Sequence, residues 1–600
     1  MTVLQSLDRY YGRMAARNEA EPPGYSREKI SFAIVLSAEG EPIEMRDLRQ
    51  TSGKRLMPRL IEVPAAVKRT AGIFPNLLWD KTAYVLGRTA GEGRRTAEEH
   101  TAFKKANLAL LDGAEDEGLI ALRRFLEKWS PARFDAEPFG PEMLDANIVF
   151  RLEGELAFIH ERYAARRLVE ARVGGDGPSG FCLVTGIEAP LRRLHPPIKG
   201  VEGAQTAGAA LVSFNLDAFE SYGKEQGANA PTSEAAAFRY GAALNRMLDR
   251  GSRNRIRRPI GDTTVVFWAD TSDAVDEAAA QAAEDLFFAA IDPAAADEHS
   301  DEDAAQAATV RDALDKLAAG RPVRDLDPRL GLQAGTRFHV LGLAPNAARL
   351  SVRYWLDDTF EIFAKRLGEH YRDLAIEPAP WKTKLPAVRW LLVKATALQE
   401  KYENIPHQLS GEVMRAILAG TPYPHTLLTA AINRLRAGDD PGTGWHAAVI
   451  HAVLARDQRL RFKKENWLVS LERDYDDSAY QLGRLFAAVE TAQRMALGRV
   501  NATIRDRYFG AASATPASVF PLLLRGAQNH LGKLRKEGKG GWLEREIEEI
   551  SDHLKPDLPR SLRLESQGRF AIGYYHQRKA QYAGRPADEI DEEGADNGTE

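Results

Sequence analysis

The sequence predicts an α+β chain, a mixed N-terminal region followed by an α-helical bundle, and three features carry that prediction. Up to residue 380, short apolar runs bounded by Gly, Pro and Asn are interleaved with stretches of three- and four-residue apolar spacing. Past that point the strand signal fades and helical spacing dominates. At 600 residues the chain is long enough for several folding units.

Taken in order, 31–36 (SFAIVL) reads as a strand entering a hairpin at Glu39, Gly40, Glu41 and Pro42. Residues 98–111 and 118–129 read as helices, the second stopped by Ser130-Pro131. Strands are expected at 147–152 and 157–160, then a helix at 163–172 ahead of the Gly-rich stretch 174–180. FCLVTG from Phe181, LVSFN from Leu211 and TTVVFWAD from Thr263 read as further strands. A helix opens at Pro231-Thr232-Ser233-Glu234, with Thr232 suited to the N-cap. RFHVLGLA and RLSVRYWL alternate around Pro345-Asn346, a hairpin signal. Helices follow at 390–398, 411–418, 426–435, 446–454, 480–497, 517–531 and 542–554. The expected domains are therefore a mixed α/β region at 1–380, a bundle at 381–585 and a disordered acidic tail at 586–600.

The single cysteine, Cys182, excludes an internal disulfide and a multi-cysteine zinc site, and its apolar setting predicts a packed, inert thiol. No N-terminal apolar core follows a basic region, and no run of about 18 apolar residues appears, so a cytoplasmic chain without a membrane partner is expected. The formal charge of -4 hides a partition: 271–303 holds eleven acidic residues and no Lys or Arg, and 588–600 holds seven more. Setting those eighteen acids aside moves the charge to +14, and 381–560 alone carries +7. Such a remainder suits a polyanion, from which clustered cations release counterions. The acidic stretch 271–303 reads as a solvated helix or mobile insertion.

Four segments carry candidate chemistry. DRGSRNRIRR gathers Arg250, Arg253, Arg255, Arg257 and Arg258, guanidinium forks that match phosphate oxygens or a solvated loop partly paired with the acidic stretch. YGKEQGAN, from Tyr222 to Asn229, sets Lys224, Gln226 and Asn229 around the hinges Gly223 and Gly227 after an apolar run. Those side chains can bond base edges in a groove, or the amides can satisfy the loop's own backbone. RTAGIFPNLLWDK places Phe74-Pro75-Asn76 beside Lys68 and Arg69, either an aromatic wedge for opened base pairs or a Phe packed under a turn. LRRLHPPIKG, stiffened by Pro196-Pro197, carries Arg192, Arg193, His195 and Lys199 as a possible phosphate-binding edge. No P-loop, HExxH or Gly-x-Ser-x-Gly element is present. Acids at both ends of GDTTVVFWAD and in ERDYDD admit a metal site, with structural carboxylates and a helix cap as the commoner alternatives.

Longer blocks are more specific. FCLVTGIEAPLRRLHPPIKGVEGAQTAGAALVSFNLDAFESYGKEQGANAP, IGDTTVVFWAD, RFHVLGLAPNAARLSVRYW, LGRLFAAVE, IRDRYFGAASATPASVFPLLL and LESQGRFAIGYYHQ resemble the large subunit of the type I-C CRISPR Cascade surveillance complex, and the resemblance runs from RYYGRM to GYYHQ. It implies a non-catalytic subunit without cofactor or metal. Such a subunit reads the protospacer-adjacent motif in duplex DNA, aids strand separation and holds the displaced strand, while base pairing to guide RNA reads the target. It also implies partners: the guide-RNA-bearing backbone subunits, small subunits resembling the chain's own bundle, target DNA and a helicase-nuclease. In such proteins the bundle can be made separately from an internal start, near which Met414 and Met495 lie here.

On this reading Lys224, Gln226 and Asn229, with Lys199, Gln205 and Asn76, are candidate motif readers and Phe74 a candidate wedge. Lys68, Arg69, Arg192, Arg193, Arg253, Arg255, Arg257 and Arg258 are candidate phosphate contacts. A metal-dependent nuclease and an assembly scaffold without DNA contact are the alternatives.

Overall fold

A computed structural model describes residues 1–583 apart from 18, 53–54, 68, 70–71, 174–177, 215, 272–275, 292–311, 314, 318, 334, 382–384, 466 and 499–500. The chain separates into two compact units, 1–198 with 210–246 and 199–209 with 247–600, so residue 380 falls inside the second unit. Mixed sheets occupy the N-terminal part and an α-helical bundle the C-terminal part, as the periodicity predicts.

The first unit opens with helix α1 (Val3–Ala16), whose N-terminus is closed by a reciprocal capping box between Thr2 and Gln5. Strand β1 (Tyr25–Ile30) is followed by β2 (Phe32–Leu36) and β3 (Pro42–Asp47), the hairpin expected around Gly40. Then come β4 (Arg59–Pro64), β5 (Asp80–Lys81), α2 (Thr82–Val85), α3 (Thr96–Leu110), α4 (Glu117–Lys128) and β6 (Asn147–Leu152). The order β3-β2-β6-β5 makes a four-stranded sheet in which β2 and β6 are parallel, Phe32 opposite Ile148 and Leu36 opposite Leu152. Every residue of β2 is buried because both sheet faces are covered, the usual condition of a parallel pair. Phe32, Ile34 and Phe150 pack with Leu122, Phe125 and Leu126 of α4, while Ala33 and Val149 pack with Ile61, Val63 and Trp79. Asp116 caps α4 by accepting from the Leu119 N–H at 3.1 Å.

Three strand expectations fail in this unit. Residues 157–160 give a 3-10 turn, Ile159–Glu161, rather than a strand. FCLVTG does not extend either: β7 (Ser179–Phe181) and β8 (Glu188–Pro190), after helix α5 (Tyr163–Val173), form a short hairpin whose tip is 182–187, closed by Gly186 N–H to the Cys182 carbonyl at 2.9 Å. Residues 211–214 form a bend and an irregular stretch rather than a strand, because 182–186 and 211–214 have no neighbouring strand with which to pair their backbone. Helix α6 (Glu234–Leu248) is capped by Ser233, not Thr232: the Ala236 N–H donates to Ser233 Oγ at 3.2 Å, and Thr232 turns back to the Ala230 carbonyl.

The second unit is built on an antiparallel sheet of β9 (Thr264–Ala269), β10 (Arg337–Asn346) and β11 (Arg349–Thr359). Phe267 and Phe338 on its inner face meet Phe287 of α7 (Glu277–Ile291) at ring separations of 4.9 and 4.8 Å. That packing corrects the expectation for the acidic stretch. Its described middle is no solvated helix, since Ala279, Ala280, Ala283, Leu286 and Phe287 are buried in the core. The remainder of 271–303 and the tail 586–600 lie outside the described residues apart from Thr271 and Asp276.

Ten helices named in chain order complete the unit: α8 (Phe360–Asp373), α9 (Val388–Thr396), α10 (His407–Ala419), α11 (His425–Arg436), α12 (Trp445–Phe462), α13 (Ser478–Leu497), α14 (Ile504–Ala514), α15 (Pro516–Lys536), α16 (Gly541–Asp552) and α17 (Leu564–Ala583). At its centre α13 and α17 run side by side in the same direction: Tyr480 bonds His576, Thr491 bonds Gln581 and Arg494 bonds Tyr582. Glycine sets how closely they approach, for a Cβ at Gly483 would land on the Phe570 carbonyl and one at Gly573 on the Tyr480 carbonyl. Charge is buried there too. Arg456 donates from Nε to Asp373 at 2.6 Å, Arg459 adds bonds to the same carboxylate at 3.0 and 2.8 Å, and the Arg456 guanidinium lies 4.0 Å from the Tyr423 ring centre.

Candidate nucleic-acid interface

Two of the four segments singled out in the sequence are brought together in the first unit. The 191–196 segment runs beside the start of α6, with Arg192 N–H bonded to the Thr232 carbonyl at 2.8 Å and Leu191 bridged to Ser233. Pro196 rests on Gly241 of α6, where a Cβ would come within 2.6 Å of its ring. The 3-10 turn Gln226–Asn229 packs on the same segment through Gly227, whose absent Cβ would sit 2.5 and 2.6 Å from the Arg193 and Arg192 carbonyl oxygens. Arg193 Nε donates to Gln226 Oε1 at 2.8 Å. Arginines from one segment and amides from the other thus share one surface.

Asn229 organises the loop. Its Oδ1 accepts from the Ser221 N–H at 3.1 Å, and its Nδ2 donates to the Lys224 and Gln226 carbonyls at 2.7 and 3.1 Å. Lys224 N–H closes on the Ser221 carbonyl at 3.0 Å, and Tyr222 and Gly223 between them both have positive φ, +55° and +66°, as a type I′ turn requires. Asn229 is therefore spent on the loop's own backbone, whereas the exposed Lys224 ammonium has no partner among the described residues. Tyr222 stands at the tip, 99% exposed. Nearby His195 bonds the Tyr240 hydroxyl through Nδ1 at 2.6 Å, and burial, aided by Arg192, pushes its pKa down to about 4, so it is neutral at physiological pH.

The 69–80 turn is a separate cluster with no hydrogen bond or ion pair to the 222–229 loop among the described residues. Arg69 pairs with buried Asp80, donates to the Phe74 carbonyl at 2.6 Å and lies 3.9 Å from the Tyr84 ring centre. As placed it neutralises a buried carboxylate rather than offering itself to phosphate. Asn76, 4% exposed, accepts from the Val67 N–H through Oδ1 at 2.9 Å and so braces the turn. Phe74 is half exposed, its ring against Gly72. Lys68 lies outside the described residues.

In the second unit Arg253 and Arg258 are exposed and Arg257 half-buried. Arg255 departs from the expected phosphate contact: it is buried, donates to the Leu248 carbonyl at 2.6 Å and faces Glu202 at 3.7 Å. The alternation around β9 explains this, because Arg255 bridges Val266 and its side chain is carried inward. Lys199 is half-buried beside Gly200, and Gln205 is exposed in a turn closed by Gly208 N–H.

A family model described as CRISPR-associated protein (Cas_Csd1) matches residues 7–582. The chain belongs to the Cas_Csd1 family. No curated protein matches it.

The acidic motifs of this Cas_Csd1 protein are engaged in structural pairs. Asp262 and Asp270 stand at opposite ends of β9, the first bound to Arg353 and the second 3.5 Å from His339 Nε2. In ERDYDD, Asp477 caps α13 by accepting from Tyr480 N–H at 2.9 Å and pairs with Arg569 at 2.8 Å, while Arg473 binds Glu546 and Glu549. Among the described residues no three His, Cys, Asp or Glu converge to hold a metal ion, and no helix is long and apolar enough to cross a membrane. Cys182 is buried, in a turn rather than a strand; burial raises its thiol pKa, but hydrogen bonds from Ser233 and Thr185 outweigh that and bring it to about 7. Sequence reasoning gave no separate weight to Tyr222 or to Trp390. Exposure is what marks them, and the type I′ requirement at Tyr222-Gly223 was the one signal available in the sequence.

Proposed function

We propose that this Cas_Csd1 protein is the non-catalytic large subunit of a type I-C Cascade complex, acting in the cytoplasm. It reads the protospacer-adjacent motif in duplex DNA, aids strand separation and R-loop formation, holds the displaced strand and helps recruit the helicase-nuclease. Its proposed partners are the guide-RNA-bearing backbone subunits and small subunits resembling its own bundle. The observation that carries the reading is the braced 221–229 loop seated on the Arg192-Arg193 segment, in a chain matched to its family over 7–582.

Lys224 supplies a point charge to a base edge or phosphate, Gln226 an amide oriented by Arg193, and Arg192 and Arg193 the phosphate contacts that set register. Asn229 acts by holding the loop, and Lys199 and Gln205 are secondary candidates. Phe74 and Tyr222 are the exposed aromatics of the 69–81 and 222–229 segments available to an opened base pair. Exposed Arg253 and Arg258, with Arg257, give sequence-independent phosphate contacts.

The test is co-purification with guide RNA and neighbouring subunits, then binding to matched targets with and without the flanking motif. Lys224→Ala with Gln226→Ala should erase the difference between the two targets; if discrimination persists, the loop does not read the motif. Arg253→Ala with Arg258→Ala should weaken both targets alike and flatten the salt slope by about 0.9 per lost contact.

A further inference from the structure

The second unit carries an exposed tryptophan in basic surroundings that none of the roles above uses. Tyr402 ties two distant segments together, its hydroxyl donating to the Pro259 carbonyl at 2.5 Å and lying 3.0 Å from the Gly261 carbonyl. The turn that follows Arg257 and Arg258 is thereby fixed beside the segment after α9. The Arg389 guanidinium stacks 4.0 Å from the centre of the same Tyr402 ring, and its Nε is buried without a hydrogen-bond partner. Trp390, the next residue, is 44% exposed, with the Lys394 ammonium 5.0 Å from its ring centre. Asn404 Nδ2 donates to the Leu398 carbonyl at 2.7 Å, holding a bend in which Gln399 and Glu400 both take positive φ. Lys401 is exposed directly after it.

Among the described side chains the charges around this bend do not balance. Glu400 is bound to Lys394 and Asp262 to Arg353, which leaves Arg258, Arg389 and Lys401 without a carboxylate among the described residues. An exposed indole, with Arg389 preceding it in the chain and Arg258 and Lys401 on the two segments that Tyr402 joins, fits a ligand that offers a flat π-surface and a phosphate together. Duplex DNA hides its base faces within the stack, whereas a single strand exposes them. We infer that Arg258, Arg389, Trp390 and Lys401 form a binding patch for single-stranded nucleic acid, with a base stacked on Trp390 and the backbone held by the three cations.

This inference rests on the proposed function only for what the strand would be, the displaced DNA strand; the class of ligand is set by the patch. The experiment is fluorescence anisotropy of labelled oligo-dT and oligo-U with the full chain across a salt series. Trp390→Ala should weaken oligonucleotide binding by roughly 5- to 100-fold and Trp390→Phe by much less. Arg258→Ala with Lys401→Ala should lower the log-log salt slope by about 0.7 per contact. Trp542→Ala, at an exposed tryptophan of α16, should change nothing. A preference for dT marks a DNA strand and one for U a guide-RNA segment, and either supports the patch. Wild-type affinity in folded Trp390→Ala and Arg389→Ala chains overturns it, as does displacement of the oligonucleotide by poly-glutamate at lower concentration than by unlabelled oligo-dT, which would assign the patch to an acidic protein. Motif discrimination should survive Trp390→Ala, so loss of one activity is separable from loss of the other.

Discussion

The two units treat polar groups in opposite ways. In the bundle of the second unit Arg456, Arg484 and Asp373 are buried among apolar helices, each held by partners from other elements, so position is specified from several sides. In the first unit the core is the sheet with its covering helices, and the region of 179–198 and 210–229 is left with Phe181, Leu183, Ile187, Leu194 and Tyr222 exposed. Asn229, Gly227 and Ser233 brace its loops. Buried charge demands exact partners and yields rigidity; a braced loop needs few and leaves its side chains available.

The largest effect expected from this contrast is at Asp373. Asp373→Asn leaves Arg456 buried with its charge unmatched, and removing one member of such a pair costs about 3–5 kcal/mol. Urea unfolding should show the loss in the transition of the second unit, with the first unit little changed. An effect below about 1 kcal/mol would mean water reaches Arg456 and the charge is not truly buried.

Gly483→Ala comes next. The new methyl meets the Phe570 carbonyl, so α13 and α17 must separate, with a cost of about 1–3 kcal/mol or more for overpacking. Gly526→Ala in α15, where a Cβ meets nothing within 4 Å, is the matched control and should be neutral or stabilising through helix propensity. Thermal melts of the two variants decide the matter.

Acid should separate the units further. Burial lowers His370, helped by Arg456, and His576, helped by His451, to about 3, and lowers His160 and His195 to about 4. These rings fold neutral, while in the unfolded chain they take up protons near the ordinary value of about 6.5. The unfolded state therefore binds more protons in between, and stability held above about pH 6.5 falls as pH drops towards 4 in the first unit and towards 3 in the second. A thermal midpoint unchanged between pH 7 and pH 4.5 would contradict this. His370→Gln should flatten the second unit's share.

Elements with a local signal were legible in the sequence. Helices of the bundle showed as apolar residues at three- and four-residue spacing, β9 as a short apolar run, and β10 and β11 as alternating runs with a turn between. Residues 182–186 were misread because a short apolar run fits a strand, a turn or a buried helix equally until its pairing partner is known. The separate roles of the arginines were also invisible: Arg255 and Arg258 look alike in DRGSRNRIRR, and only the bridge to Val266 turns one inward. Of the two readings open for the amides of YGKEQGAN, Asn229 follows the one in which an amide satisfies its own loop, which needs no long-range help, whereas Gln226 meets Arg193. The pairing of 191–196 with 226–229 depends on Gly227 fitting under two carbonyls, a contact across more than thirty residues that no spacing rule exposes.

The smallest effect on stability is expected at the tip of the loop, and it sharpens the comparison most. Tyr222 holds a positive φ, which costs a residue with a Cβ about 1 kcal/mol, and its ring is almost entirely exposed. Asn is preferred at that position of a type I′ turn, so Tyr222→Asn should leave the melting temperature unchanged or raise it slightly. A side chain that strains its turn and gains no burial is explained if it acts on something outside the chain. Binding to a flanking duplex with 2-aminopurine at the first target pair should then show Tyr222→Asn binding the duplex but opening that pair less, with Tyr222→Phe close to wild type. Equal opening by both variants would make Tyr222 an incidental surface residue and leave Phe74 as the aromatic to test.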